Sequence, residues 1–280
     1  MKFSSLGKIS RPLNPPATLP YILTNPEQND ILLPMKNVLG SWNKIGKGLL
    51  NLVYPLECQI CKIELGPFKE SCLCNECKGR IRLNLPPFCL KCGKSLINST
   101  YTNAYCQDCM RTTYHFRRAW ATGHYQGILK DCIHLFKFNG KLCLLPAFTE
   151  LFLNFTKLYI KINEFDAIIP VPLHKTKIRE RTFNQAELLA NDFSRRNGIP
   201  VYADNLIKAK HTPPQTELSK EGRASNIKGA FKITDSSFLK GKNILLMDDV
   251  FTTGYTLNEC AKILLEGGAG SVACLVLARG

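Results

Sequence analysis

Long uncharged hydrophobic runs are missing from the sequence. No window is apolar and free of charge over the roughly 18 residues that a membrane-spanning helix needs. The most apolar segment, AFTELFLNFTKLYIKI, contains Glu150, Lys157 and Lys161 and predicts a buried helix of a globular protein. The segment MKFSSLGKISRPLNPPATLP lacks the apolar core of a secretory signal. We therefore expect a cytoplasmic protein with reduced thiols.

Acidic residues are scarce relative to basic ones. The chain of 280 residues has 37 Lys and Arg against 22 Asp and Glu, which gives a formal net charge of +15 at pH 7. Such a charge attracts phosphate-bearing partners, whether small molecules, nucleic acid or an anionic membrane surface. The basic residues are spread along the chain without a long run. A solvated basic surface and a nucleic-acid groove are therefore both compatible with this composition.

The composition divides the chain into four parts. Residues 1–34 hold six prolines and predict a flexible tail, and the apolar spacing over 35–54 predicts an amphipathic helix. Residues 55–112 are rich in cysteine, and 113–280 alternate between strand and helix patterns. That alternation predicts an α/β fold with a doubly wound, mostly parallel sheet, preceded by a small cysteine-rich module.

Four C-x-x-C pairs follow one another in the cysteine-rich module, namely Cys58/Cys61, Cys74/Cys77, Cys89/Cys92 and Cys106/Cys109. Two thiolates at this spacing can share one metal, and two such pairs complete the four-sulfur shell of structural zinc. The spacing therefore predicts two structural zinc ions. Sequential pairing is the simpler arrangement, and interleaved pairing stays open.

The other five of the 13 cysteines are outside these pairs. Cys72 is a possible substitute for Cys74 in SCLCNEC, although Cys74 repeats the spacing of the other pairs. The remaining four fall at apolar positions and predict core residues, namely Cys132, Cys143, Cys260 and Cys274.

The segment ILLMDDVFTTGYT, residues 244–256, places two carboxylates and a threonine-rich loop after a buried strand. Ligands of α/β sheets bind at the carboxyl ends of the strands. Asp248 and Asp249 can accept hydrogen bonds from the vicinal hydroxyls of a ribose. The hydroxyls of the loop threonines, the tight turn at Gly254 and the start of the following helix suit a phosphate. The segment thus predicts a receptor for a ribose 5-phosphate group.

Two other nucleotide-binding motifs are missing from the sequence. There is no G-x-x-x-x-G-K-[ST], and no G-x-G-x-x-G follows a predicted strand, which argues against a P-loop nucleotidase and a dinucleotide-binding fold. A metal-binding aspartate pair is the serious alternative for Asp248 and Asp249, and it would leave the threonine loop unexplained.

The segment ILLMDDVFTTGYT closely resembles the phosphoribosyl-pyrophosphate (PRPP) signature of type I phosphoribosyltransferases. From about Tyr54 onward the chain is similar to the ComF/GntX family, in which a zinc module precedes a phosphoribosyltransferase-like domain. FCLKCG, IIPVPLHKTKIRERTFNQAELLA and HTPPQTELSKEGRASNIKGAF also match that family. One departure is Thr182, which stands where the family usually has a glycine.

The resemblance implies a role for each part of the site. Asp248 and Asp249 would be the catalytic residues, stabilising positive charge at the anomeric carbon as pyrophosphate leaves. Magnesium would bridge the pyrophosphate and ribose oxygens. Arg223, in a lid over 211–223, would be a further phosphate contact. The 5′-phosphate and pyrophosphate would be bound by two loops, formed respectively by Thr252, Thr253, Gly254, Tyr255 and Thr256 and by Val171, Pro172, Leu173, His174 and Lys175.

The resemblance also implies a role in DNA uptake during natural competence, with single-stranded DNA and a competence helicase as partners. Three hypotheses are compatible with the sequence. The protein transfers phosphoribose to an acceptor, or it is a nucleic-acid adaptor with a repurposed ribose-phosphate pocket, or it is a PRPP-sensing regulator without turnover. DNA binding that weakens steeply with salt would favour the adaptor.

Overall fold

The computed structural model describes residues 56–66, 69–97, 104–210 and 227–280. Cysteine-rich ribbons come first and an α/β domain follows. The tail predicted over 1–34 and the helix predicted over 35–54 lie outside the described residues. Among the described helices, none combines the length and apolar character needed to cross a membrane.

The described strands are β1 Arg118–His124, β2 Ala167–Pro170, β3 Leu206–Lys208, β4 Phe231–Ile233, β5 Asn243–Phe251 and β6 Ser271–Arg279. The described α-helices are α1 Asn75–Gly79, α2 Gln107–Arg111, α3 Gly127–Asn139, α4 Leu145–Tyr159, α5 Lys175–Arg181, α6 Gln185–Asn197 and α7 Tyr255–Glu266. Strands β1, β6, β5 and β2 form one parallel sheet in that order, and β3 pairs antiparallel with β4.

The parallel sheet is buried on both faces, as its continuous apolar strands predict. Helices α3, α4 and α6 cover one face, where Phe136, Phe152 and Phe193 are completely buried. Helix α7 and the second cysteine-rich ribbon cover the other face. Successive residues of β5 point alternately to the two faces. Leu245 and Met247 belong to the first core cluster, and Ile244 and Leu246 to the second. The predicted doubly wound α/β fold is therefore confirmed.

The cysteine-rich module is attached to the free edge of β1. Leu83 forms an antiparallel bridge with Gly123, and the backbone N–H of Asn84 donates to the carbonyl of Thr122 at 2.9 Å. The Asn84 side chain donates to Gly93 in the second ribbon, at 2.8 Å, and to Ala121 in β1, at 3.1 Å. Asn84 thus ties the ribbon to the sheet, which removes an exposed edge strand.

Cys72 and Cys143 form a disulfide between the first ribbon and the connection from α3 to α4, with their Cα atoms 5.4 Å apart. The backbone N–H of Cys72 also donates to the carbonyl of Cys143, at 3.1 Å. The expectations of reduced thiols and of a core role for Cys143 are therefore wrong for this pair. The physical reason is tertiary, because packing of the ribbon against the end of α3 brings the two cysteines together. Cys132, Cys260 and Cys274 are buried, as predicted.

Thr182 ends helix α5 in the left-handed conformation, with a φ of 68°. A β-branched residue is strained in that region, and glycine is not. We expect Thr182→Gly to raise the free energy of unfolding by about 1 kcal/mol. Gly198, the corresponding residue after α6, has a φ of 77° and open space around its Cα. Gly198→Ala should have the opposite effect. Urea unfolding of both variants measures the two changes, and a destabilised Thr182→Gly protein would contradict the argument.

Candidate functional site

The eight paired cysteines form two tetrads in the structure. Their sulfur atoms lie within 4.8 Å of one another inside each tetrad. The grouping is sequential, with Cys74 rather than Cys72 in the first tetrad, and its members are Cys58, Cys61, Cys74 and Cys77, then Cys89, Cys92, Cys106 and Cys109. Four convergent thiols and no other ligand match a closed structural zinc site.

The two tetrads repeat the same local structure. The backbone N–H of the third cysteine donates to the sulfur of the first, from Cys74 to Cys58 at 3.4 Å and from Cys106 to Cys89 at 3.3 Å. The hydrogen bond from the Cys92 thiol, followed by backbone N–H groups, lowers the pKa of the Cys89 thiol to about 4. Because the thiolate is the form that binds metal, these N–H groups favour zinc binding.

The aspartate pair lies inside β5 and not after its end, because β5 continues to Phe251. Pairing with β2 stops at Pro170 opposite Met247, whereas pairing with β6 continues to Phe251 opposite Arg279. The β2 side of β5 is therefore open from Asp248 onward. A ligand can approach the pair from that side, as expected at a carboxyl edge.

The two carboxylates point to opposite faces of the sheet, as adjacent residues of a strand must. Asp248 lines a cavity with the threonine loop. Asp249 is 3 % exposed, and its Oδ1 lies 2.7 Å from the Nζ of Lys137 in α3. Its Oδ2 has no hydrogen-bond partner within the described parts of the chain. A buried carboxylate oxygen without a donor is costly unless a ligand supplies one.

The Asp248 carboxyl has a pKa well above that of an ordinary aspartate. Burial, followed by the charge of Asp249, raises its pKa to about 8, and the charge of Lys137 opposes this shift. Perturbation of this kind is typical of functional carboxylates. A carboxyl with this pKa changes its charge when a ligand or a cation binds beside it.

The threonine loop joins β5 to α7 through a tight turn at Gly254, which has a φ of 79°. A Cβ at this position would lie 2.5 Å from the Phe251 ring, so only glycine fits. The Tyr114 hydroxyl donates to the carbonyl of Thr253 at 3.2 Å. The Thr253 hydroxyl is buried without a partner in the described structure. The cavity of about 50 Å³ that the loop forms with the start of α7 suits one anionic group.

The loop after β2 begins beside the aspartate pair. The Val171 N–H donates to the carbonyl of Met247 at 2.8 Å, and Asn184 donates to the Val171 carbonyl at 3.2 Å. Val171 and Pro172 are buried, Leu173 and His174 are half-buried, and Lys175 is exposed. The Nδ1 of His174 accepts from the backbone N–H of Thr176 at 3.3 Å and so caps α5. Arg223 and the predicted lid over 211–223 lie outside the described residues.

Sequence reasoning missed Lys137 and Arg279. Lys137 lies in the last turn of α3, with nothing in the local pattern to mark it as a partner of Asp249. The Arg279 guanidinium stacks over the Phe251 ring at 4.2 Å, and it is buried. Its Nε and Nη1 have no hydrogen-bond partner in the described part of the chain. Lys137 places positive charge beside Asp249, and Arg279 places it near the Cys92 thiol.

The fold and the site define a class of protein, a double zinc ribbon joined to a phosphoribosyltransferase-like domain. Residues 49–110 match the double zinc ribbon domain family, and residues 184–280 match the phosphoribosyl transferase domain family. These matches and the two tetrads support structural zinc.

Curated relatives cover most of the chain. Competence protein F of Haemophilus influenzae is 33 % identical over 211 residues, which are 74 % of this chain and 90 % of that protein. Competence protein ComFC of Bacillus subtilis is 30 % identical over 215 residues, which are 74 % of this chain and 84 % of the relative. DNA utilization protein YhgH of Escherichia coli is 28 % identical over 231 residues, which are 81 % of this chain and 99 % of that protein. The chain belongs to the ComF/GntX family, as its motifs predicted.

Proposed function

We propose that the protein binds PRPP with magnesium and transfers its phosphoribosyl group to an acceptor, as part of DNA uptake. One observation carries the proposal, namely that Asp248 and the threonine loop line one cavity at the open side of β5, with Asp249 next to Asp248 in the strand. The buried Thr253 hydroxyl and the Asp249 Oδ2 lack partners among the described residues, and a ribose phosphate would supply both.

Each part of the site has a chemical role in this proposal. The hydroxyls and N–H groups of the loop bind the 5′-phosphate, with Thr252, Thr253, Gly254, Tyr255 and Thr256 as its residues. Asp248 and Asp249 accept hydrogen bonds from the ribose hydroxyls. The pyrophosphate lies against the loop of Val171, Pro172, Leu173, His174 and Lys175. Magnesium, when bound, would neutralise charge on the pyrophosphate and ribose oxygens.

The aspartate pair also lowers the barrier to transfer. As the bond from the anomeric carbon to pyrophosphate breaks, positive charge develops on the ribose. Carboxylates fixed beside the ring stabilise that charge more in the transition state than in the bound substrate. Lys137 holds Asp249 in place at 2.7 Å, so the carboxylate is oriented before the substrate binds.

The role in DNA uptake is proposed from the relatives and from the charge. The names of the relatives refer to competence and to DNA utilization. A net charge of +15 would attract single-stranded DNA, and a competence helicase would be the partner that delivers it.

Isothermal titration of PRPP with magnesium into the zinc-loaded protein tests the proposal. We expect binding that is competed by ribose 5-phosphate, because both ligands place a phosphate in the threonine loop. Pyrophosphate release in the presence of candidate acceptors then separates an enzyme from a PRPP sensor. Absence of binding, in a protein shown to be folded and zinc-loaded, would overturn both.

The affinity for PRPP should rise with pH. The ribose hydroxyls donate to an ionised carboxylate, and the pKa of Asp248 is raised to about 8. Below that pH, binding must first remove the proton, so affinity increases by about tenfold per pH unit at most and levels off above pH 8. Asp248→Asn removes the titrating group and should bind weakly with a flatter profile. An identical profile in the two proteins would contradict this assignment.

A further inference from the structure

A second cavity, of about 190 Å³, lies between the end of α3 and helix α5. Its lining residues are Lys137, Phe138, Gly140, Lys177, Glu180 and Arg181. Lys137 also contacts Asp249, so the cavity adjoins the aspartate pair. The threonine loop lies on the other face of the sheet. The proposed ribose site is thus flanked by two cavities, and the proposed function uses only one of them.

The wall of this cavity includes an exposed aromatic ring. Phe138 is 63 % exposed, which is unusual for a phenylalanine beside so many charged groups. The Arg181 guanidinium lies 4.9 Å from the centre of its ring. The centre of the His134 ring in α3 lies 5.5 Å from the centre of the Phe138 ring. The Tyr125 ring, which precedes α3, stacks on the His134 ring with the centres 6.2 Å apart. Three rings therefore lead along the surface to the cavity.

The charges of the cavity are mostly positive. The lining has three cations, Lys137, Lys177 and Arg181, and Lys137 is paired with Asp249 outside the lining. Glu180 is the single anion of the lining, and its carboxylate lies 2.6 Å from Lys177. Arg181 donates to Gln185 at 3.1 Å, which orients the guanidinium without neutralising it. Three cations against the carboxylates of Glu180 and Asp249 leave a net positive charge, which favours an anionic occupant.

We propose that this cavity binds a nucleotide unit, with its base stacked on Phe138 and its phosphate beside Lys177 and Arg181. A lone phosphate would leave the exposed ring unexplained, and an apolar peptide would leave the cations unexplained. Aromatic rings interleaved with cations are the usual platform for single nucleotides and single strands. The inference rests on the proposed function in one respect. It takes the ligand next to the nucleotide, on the side of the threonine loop, to be the ribose phosphate of PRPP.

Fluorescence anisotropy of a short oligothymidylate without a 5′-phosphate measures whether the site binds a strand. Competition by dTMP measures whether it binds a free nucleotide. The protein is saturated with ribose 5-phosphate so that dTMP cannot use the threonine loop. Phe138→Ala should weaken binding of at least one probe by about fivefold or more, as expected for loss of one stacked base. Leu158→Ala, which removes an exposed side chain of α4, is the matched control and should leave the affinity unchanged.

A charge pair of variants completes the test. Lys177→Gln should reduce the salt dependence of oligothymidylate binding by about one unit of slope, whereas Lys262→Gln in the exposed pair with Glu266 should not. Weaker binding of either probe by Phe138→Ala supports the site. The probe that is affected shows whether the site takes a strand or a free nucleotide. Equal binding of both probes by Phe138→Ala and the wild type, or of an abasic strand as tightly as oligothymidylate, overturns it. PRPP titration of the same variants reports on the proposed function separately.

Discussion

Replacement of Cys92 by serine will remove one of the two zinc ions and destabilise the whole α/β domain. Cys92 is 1 % exposed and belongs to the core cluster that packs on the sheet through Phe116 and Ala119. Structural zinc contributes about 10 kcal/mol or more of binding free energy to small zinc domains, so loss of one ligand removes several kcal/mol. The midpoint of thermal unfolding should fall by about 10 °C or more.

The large loss of stability is expected because the second ribbon covers one face of the sheet and is hydrogen-bonded to its edge strand β1. The backbone N–H of Ala119 in β1 donates to Lys91 of that ribbon at 2.7 Å. Asn84 bridges the ribbon and β1. A collapsed tetrad would expose the edge of β1 and the apolar face that the ribbon covers.

Metal analysis and thermal unfolding of the same samples measure the prediction. Cys132→Ala is the control, because Cys132 is equally buried in α3 and outside both tetrads. It should retain two zinc ions and lose only the stability that a small cavity costs. Two zinc ions retained by Cys92→Ser, with unchanged thermal stability, would show that Cys92 is not a required zinc ligand.

Asp249→Asn should reduce the affinity for PRPP by about 100-fold or more. Hydrogen bonds to charged groups contribute about 1.5–3 kcal/mol each, and the asparagine replaces one carboxylate oxygen by a donor. The same change leaves the partly buried Lys137 ammonium without its anion. Removal of one partner of a buried pair costs about 3–5 kcal/mol of stability. Calorimetric titration and urea unfolding measure the two effects.

A double variant separates the two effects of Asp249→Asn. Replacing Lys137 by methionine and Asp249 by leucine removes both charges, and such replacement is often neutral for stability. The double variant should therefore regain much of the stability that Asp249→Asn loses, without regaining PRPP binding. PRPP binding by the double variant at the affinity of the wild type would exclude Asp249 from the site.

Features set by neighbours in the chain were predictable. Each C-x-x-C pair places two sulfurs on one turn, so the metal-binding pairs follow from spacing, whereas their sequential grouping into tetrads is given by the structure. The continuous apolar character of β5 predicts a central parallel strand, and the glycine after α6, Gly198, is the residue type that most often ends a helix. Asp248 and the threonine loop are close in space as they are in sequence, because the loop directly follows the end of β5.

Features that join distant parts of the chain were not predictable. The length of β5 beyond Asp248 depends on its pairing with β6. The pairing of Cys72 with Cys143 depends on how the first ribbon packs against the end of α3. Neither arrangement leaves a local pattern, since each depends on contacts between segments far apart in sequence.

The sequence by itself determined the chemistry of this protein: eight thiols in metal-binding spacing, and two carboxylates followed by a phosphate-type loop. Only the tertiary structure decided how those groups are used. The pleat of β5 directs Asp248 to the threonine loop and Asp249 to Lys137, and the end of β2 leaves their side of the strand open. Chemistry follows from residue type and local spacing, whereas accessibility and partnership follow from which strands and helices pack together.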